Sequence, residues 1–281
     1  LDDMGIPPSV LSFINYPTKF DARETERVLK GTGIEVPSLE GYAPIIWDFW
    51  ERNLDPDLFK DRTLRGTVEG RVCVITGATS GIGLATAEKL ADAGAILVIG
   101  ARKLERLNEV AAALEKRGAS VHAYQCDFAD MEDADRFVKT VLDNHGHVDV
   151  LVNNAGAAGP KYTLRDIPFS DVEMKAAGSD QTMFDSAMNL LGALWNMARA
   201  AAPHMSVGAS FINVSTIFSR THFFGRIPYV VPKSGLNALS KGLALELGED
   251  KGIRVNTVFP GPIESERIDT VFARMDELQN L

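Results

Sequence analysis

At 281 residues and 45% apolar content, the chain can bury a full core, in one large domain or two small ones. A net charge of -9 at pH 7, from 38 acidic against 29 basic residues, argues against a surface for a nucleic-acid backbone, which wants clustered lysine and arginine. No run approaches the ~18 apolar residues that a membrane span requires, and no basic stretch followed by an apolar one opens the chain, so a cytoplasmic protein is expected.

Residues 1–69 are rich in proline, aromatics and charge and read as a linker or docking segment; Leu1 in place of a methionine suggests a piece of something longer. Asp21 followed by Glu24 has the form of a capping box, and Gly31 supplies a left-handed stop, which predicts a helix over 22–30. Ile46, Phe49 and Trp50 at helical spacing predict a second helix over 42–53, packing its aromatics on the larger domain or serving as an inter-domain or dimer contact.

From Gly70 onwards strands and helices alternate, which predicts a doubly wound parallel sheet with helices on both faces. The apolar run 71–76 is a strand covered on both faces, leading into Thr76-Gly77-Ala78-Thr79-Ser80-Gly81-Ile82-Gly83 and an alanine-rich helix over 84–93. Glycines between a strand and a helix let backbone N–H groups approach a pyrophosphate, so Gly77, Thr79, Ser80, Gly81, Ile82 and Gly83 are candidate dinucleotide contacts. The second strand, 95–100, ends in Arg102 and Lys103 where an acidic residue would select the 2′-hydroxyl of NAD. Two basic residues there suit a 2′-phosphate and predict NADP(H).

A helix over 104–117 precedes the third strand, 120–126, which ends at Asp127 and Phe128, with Asp127 placed to bond the adenine amine. After a helix over 132–145, the fourth strand from Val148 ends in Asn154, Ala155 and Gly156, whose glycine permits another close cofactor contact. Asn189 sits inside a helix over 183–202, where a buried amide needs partners. A fifth strand, 210–215, and a sixth, 253–259, follow, and the chain then ends in a charged helix-like tail where a seventh strand is expected. Cys73 and Cys126, in or beside apolar runs, read as reduced core residues.

Between those last strands Tyr229 and Lys233 stand four apart at the start of a helix running to about residue 247, so both reach one point. A phenol near pKa ~10 is a poor acid at neutral pH, but an ammonium within hydrogen-bonding range favours the phenolate. Pro232 fits a first helical turn, which puts the helix start close to Tyr229. Arg220, His222 and Arg226 lie in the loop before it, and arginine binds carboxylates bidentately, so Arg220 and Arg226 are candidate anchors for a small aldehyde ending in a carboxylate. His122, His145, His147 and His204 lack metal-ligand spacing, so no metal is expected, and no Gly-x-Ser-x-Gly elbow supports hydrolase chemistry.

Thr76-Gly77-x-x-x-Gly81-x-Gly83, Asn153-Asn154-Ala155-Gly156, Asn189, Ser215-Thr216, Tyr229-x-x-x-Lys233 and Pro260-Gly261 occur in an order and spacing that resembles the short-chain dehydrogenase/reductase family over roughly residues 70–270. The resemblance implies a Rossmann fold, with Tyr229 as the acid/base at the substrate oxygen and Lys233 on the nicotinamide ribose. It implies further that Asn189 holds a proton-relay water and that Tyr229, Lys233, Pro260, Gly261 and Ile263 border the cofactor. The family serine lies thirteen residues before the tyrosine; here that is Thr216, with Ser215 as the substitute donor.

Closer likenesses divide along the chain. From Ile14 to Asn154, including Asn53-Leu54-Asp55-Pro56-Asp57-Leu58-Phe59, it looks like the linker and reductase domain of bacterial multidomain alcohol-forming fatty acyl-CoA reductases. Beyond Gly156, the stretches 213–220, 225–233 and 259–267 look like the N-terminal half of bifunctional malonyl-CoA reductases. That half implies reduction of malonate semialdehyde to 3-hydroxypropionate, and the first half implies a long-chain acyl-CoA or fatty aldehyde as the alternative. The family's habit of pairing implies a homodimer, and the further domains of both relatives imply a larger multidomain chain. A non-catalytic dinucleotide-fold module is the rival from another class; intact Tyr229, Lys233 and Asn189 speak against it.

Overall fold

Short unbroken apolar runs leave a strand no face for solvent, so they are stable only between two layers of helix. The computed structural model of the chain describes residues 21–34, 38–53, 61–156, 183–221 and 226–263. It divides the chain into two units, Leu1–Lys60 and Asp61–Leu281.

In the first unit lie helices α1 (Arg23–Leu29) and α2 (Leu39–Asn53). The capping box expected at Asp21 does not form. Ala22 is the cap residue and makes no side-chain cap bond, while both oxygens of Asp21 are taken by the Arg23 side chain at 2.9 and 2.7 Å. The same carboxylate also accepts from the Arg23 N–H at 3.1 Å, so the charge-assisted pair with its near neighbour turns Asp21 to Arg23 and not to Glu24. Gly31 does adopt the left-handed conformation, φ 84, that stops the helix. Ile46 and Phe49 of α2 keep more than half of their surface exposed.

The second unit begins with α3 (Leu64–Val68), which the composition places in the leading segment but whose Val68 is buried in the core. Strands β1 (Val72–Thr76), β2 (Ile96–Ala101), β3 (Ser120–Gln125), β4 (Val148–Asn153), β5 (Met205–Val214) and β6 (Arg254–Val258) form one sheet in the order β3-β2-β1-β4-β5-β6. Every neighbouring pair is parallel. Between them run α4 (Gly81–Asp92), α5 (Leu104–Glu115), α6 (Met131–His145), α7 (Met183–Ala201), the short α8 (Phe218–Thr221) and α9 (Ile227–Lys251). The doubly wound parallel sheet expected from the alternation is therefore present.

Successive residues of a strand face opposite layers, and the core divides accordingly. Val72 and Val74 of β1 join Phe137 of α6 and Met197 of α7 on one face; Cys73 and Ile75 join Leu90 of α4 and Leu107 of α5 on the other. Val148 and Leu151 share a layer although they differ in parity, and the β4–β5 register slips between Val148 and Val150. That slip also explains why β5 starts at Met205, earlier than its apolar run, with Gly208 turned to φ 73. Among the described residues no helix is long and apolar enough to cross a membrane.

Candidate active site

In a sheet of this order the chain winds outward from β1 to one edge and from β4 to the other, which opens a crevice at their carboxyl ends. Two turns meet there. The Thr76 hydroxyl, fully buried at the end of β1, accepts from the N–H groups of Asn154 at 2.9 Å and Ala155 at 2.8 Å. The Asn154 amide answers by donating to the carbonyls of Thr76 at 3.0 Å and Gly77 at 3.1 Å. The side chain of Asn154 thus shapes the glycine turn, and Thr76 is its counterpart. Gly77 has φ 69, and a Cβ on Gly83 would stand 2.3 Å from the Gly77 carbonyl oxygen, so neither position tolerates a side chain.

Ser80 caps α4 by position only; its side chain makes no cap bond, so among the described residues the first N–H groups of the helix, around Gly81, Ile82 and Gly83, have no side-chain acceptor. Ser80 and Gly81 are exposed and Thr79 is half-buried. This set of uncapped donors at a helix N-terminus fits a pyrophosphate. The Gly77 N–H bonds the Gly100 carbonyl at 2.8 Å, bringing the end of β2 alongside, and just beyond it stand Arg102 and Lys103, both exposed. Neither basic side chain forms an ion pair among the described residues, so the residues present fit a 2′-phosphate.

Asp127 is exposed, and one of its carboxylate oxygens accepts from the Ala129 N–H at 3.1 Å. Its own N–H donates to Asp133 at 2.8 Å, which holds the Asp133 carboxyl below the ordinary carboxylate range. The side chain of Phe128, the other cofactor candidate at this strand end, packs into the core, 5.2 Å edge-on to Phe137 and filling the space under Gly100, which leaves its backbone on the loop. Sequence reading passed over Asn196 of α7: its buried amide donates to the carbonyls of Phe128 at 3.1 Å and Ala129 at 3.2 Å and fixes this loop.

Helix α9 starts at Ile227, with Pro228 in its first turn, so Pro228 and not Pro232 is the proline of the helix start. Pro232 lies inside the helix, where its ring removes one backbone donor. Lys233 is only 4% exposed, and its ammonium donates to the Val214 carbonyl at the end of β5 at 2.6 Å. A Cβ on Gly156 would stand 3.8 Å from that ammonium and 2.5 Å from a methyl of Leu190, so the turn after β4, α7 and Lys233 converge on one place. Tyr229, half-buried, is one turn earlier on the same helix, and Asn189, half-buried, precedes Leu190.

The two hydroxyl candidates point differently. Ser215 is buried and donates to the Lys233 carbonyl at 3.3 Å. Thr216, also buried, accepts from the Phe218 N–H at 3.3 Å and keeps its own hydrogen to donate. Pro260, half-buried after β6, accepts from the Ile217 N–H at 3.0 Å; the exposed Gly261 and Ile263 follow. Arg220 is exposed and stacks its guanidinium 3.9 Å above the Phe259 ring, whereas Arg226, at the cap of α9, is 4% exposed. His222 and residues 264–281 lie outside the described residues. The thiols of Cys73 and Cys126 are each pushed up to about 12 by burial, with Asp149 and Asp133 adding to it respectively, so neither is a nucleophile.

Comparison with known proteins agrees with this geometry. Residues 71–276 match the sequence profile of the family described as short chain dehydrogenase. Over 207 residues the chain is 36% identical to the rabbit (Oryctolagus cuniculus) dehydrogenase/reductase SDR family member 4, covering 72% of this chain and 74% of that one. The N-domain of a bacterial malonyl-CoA reductase, solved with NADP, superposes with a TM-score of 0.70 at 43% identity over 75% of this chain, which spans 40% of that one. The L-sorbose reductase of Gluconobacter frateurii, solved with NADPH and L-sorbose, superposes with a TM-score of 0.63 at 34% identity, covering 71% of this chain and 72% of that one.

Proposed function

The chain belongs to the short chain dehydrogenase family, and on that premise we propose that it is an NADP(H)-dependent carbonyl reductase acting on a small aldehyde that ends in a carboxylate, reducing malonate semialdehyde to 3-hydroxypropionate. NADPH, when bound, supplies the hydride. The uncapped N-terminus of α4 would hold its pyrophosphate, Arg102 and Lys103 its 2′-phosphate, and Lys233, close to the Gly156 turn, its ribose.

The remaining chemistry falls to side chains of this chain. Tyr229 gives its phenolic proton to the substrate oxygen as negative charge develops there. The Lys233 ammonium, one N–H of which is committed to the Val214 carbonyl, stabilises the phenolate left behind. Thr216 donates its hydroxyl hydrogen to the same substrate oxygen and so favours the charged transition state over the neutral aldehyde. Asn189 holds the water that returns a proton towards Lys233 and Tyr229. The observation that carries the reading is the buried ammonium seated at the ends of β4 and β5, one helical turn from a half-buried phenol.

The substrate class rests on the likeness to the malonyl-CoA reductase N-domain and on Arg226, a buried guanidinium three residues before Tyr229. Arg220, held on Phe259, is the weaker carboxylate anchor. Following NADPH absorbance with malonate semialdehyde, propanal, malonyl-CoA and a long-chain acyl-CoA tests the assignment. Turnover is expected with the first substrate and should fall by about three orders of magnitude in Y229F with cofactor binding kept. R226M should lose the preference for malonate semialdehyde over propanal; an unchanged ratio overturns the carboxylate assignment, and turnover of the long-chain thioester alone favours a fatty acyl-CoA reductase.

A further inference from the structure

We propose that Ser219 and Asn237 are positioning residues that tie the turn carrying Thr216 to the catalytic face of α9; this rests on the reading of Thr216 as the donor to the substrate oxygen. Asn237 follows Lys233 by four residues and Tyr229 by eight, so the three side chains share one helical face. Its amide donates to the Ser219 hydroxyl at 2.9 Å, and that hydroxyl donates to the Thr216 carbonyl at 2.7 Å. The Ser215 hydroxyl stands 3.5 Å from the same Ser219 oxygen.

On its other side this segment is pinned to the exit of β6, through the Ser215 N–H to Val258 at 2.9 Å and the Ile217 N–H to Pro260 at 3.0 Å. Those bonds fix its height above the sheet. The Asn237–Ser219–Thr216 chain, with the Ser215 hydroxyl's bond to the Lys233 carbonyl at 3.3 Å, sets its distance from α9, and hence the placement of the Thr216 hydroxyl relative to Tyr229. Because the Ser219 N–H also bonds the Thr216 carbonyl, at 3.1 Å, removing the Ser219 hydroxyl keeps that bond of the turn and cuts the Asn237 tie together with the 3.5 Å contact to Ser215. Misplacing a catalytic group by a fraction of an ångström costs rate without touching cofactor affinity.

The test compares S219A, N237L, T216A and the pairwise combinations with the unaltered protein, recording kcat, KM for the aldehyde, NADPH dissociation by fluorescence, and hydrogen exchange at residues 215–221. S219A and N237L are each expected to lower kcat about tenfold with NADPH affinity unchanged, and to add nothing in the T216A background. Exchange of the 215–221 amides should quicken about tenfold in both, with 72–76 unaltered. Additive losses, a wild-type kcat in S219A, or a parallel fall in NADPH affinity overturns the proposal. If the unaltered protein reduces no carbonyl, the assignment of activity fails, and slow exchange retained at 215–221 in S219A still decides against the tie.

Discussion

Arg102 and Lys103 stand past the end of β2 with their charges uncommitted, beside the turn that carries Gly77. R102D replaces a phosphate donor by a ribose acceptor, and should shift the NADPH-to-NADH ratio of kcat/KM towards NADH by about ten- to a hundredfold, the worth of one charge-assisted bond. Steady-state rates with the two cofactors check it; an unmoved ratio would mean that Arg102 serves only the solvated start of α5. At this scale the residues legible in the sequence are those whose meaning lies in local spacing: the glycines of the first turn, the Tyr229–Lys233 pair, the basic pair itself. Thr76, Asn196 and Ser219 were not legible, because each is defined by partners distant in the chain; Thr76 is 78 residues from Asn154 and Asn196 is 68 from Phe128. The Asp21 box failed for the opposite reason, since a competing donor, Arg23, lay too near.

Helix α7 joins two parts of the crevice: Leu190 lies against the Gly156 turn, and about two turns on Asn196 holds the loop that carries Asp127. N196L keeps the volume but deletes the donors, leaving two carbonyls of the β3–α6 loop without their partner. Affinity for 2′,5′-ADP, which occupies only the adenosine end, should fall about tenfold, with that for reduced nicotinamide mononucleotide unchanged. Calorimetric titration with the two half-molecules separates this from general loosening, which would weaken both. The elements were legible wherever apolar periodicity was strong, as in β1, β2 and α6. Their ends were not: glycine's low helix propensity hid the start of α4 at Gly81, and the slipped register hid the first half of β5.

In the second unit, two of the groups whose titration couples to folding, His145 and Asp149, lie at the amino end of β4, away from Tyr229. Burial raises the Asp149 carboxyl, but the Val72 N–H at 2.9 Å, Ser206 and His147 together outweigh it and hold it below the ordinary value. The His145 imidazole is held below its usual range by burial and then by His122, whose ring is 4.7 Å away, and His147; its buried Nε2 has no partner. In both cases the unfolded chain takes up a proton before the folded one does, so stability is complete above the unfolded pKa and is lost as the pH falls through the folded value. The urea midpoint should therefore be flat between pH about 6.5 and about 8, decline below that window as His145 is forced to accept a proton, and decline again below about 4 as Asp149 and Asp133 do. H145F should flatten the upper decline alone, and D149N should reduce the lower one, to which Asp133 also contributes. If both declines persist in both variants, acid acts on the fold elsewhere. If instead each is reduced as expected, while the pH profile of kcat in the native protein keeps its shape in H145F, then the His145 contribution to folding and the proton transfer titrate at opposite ends of the strands.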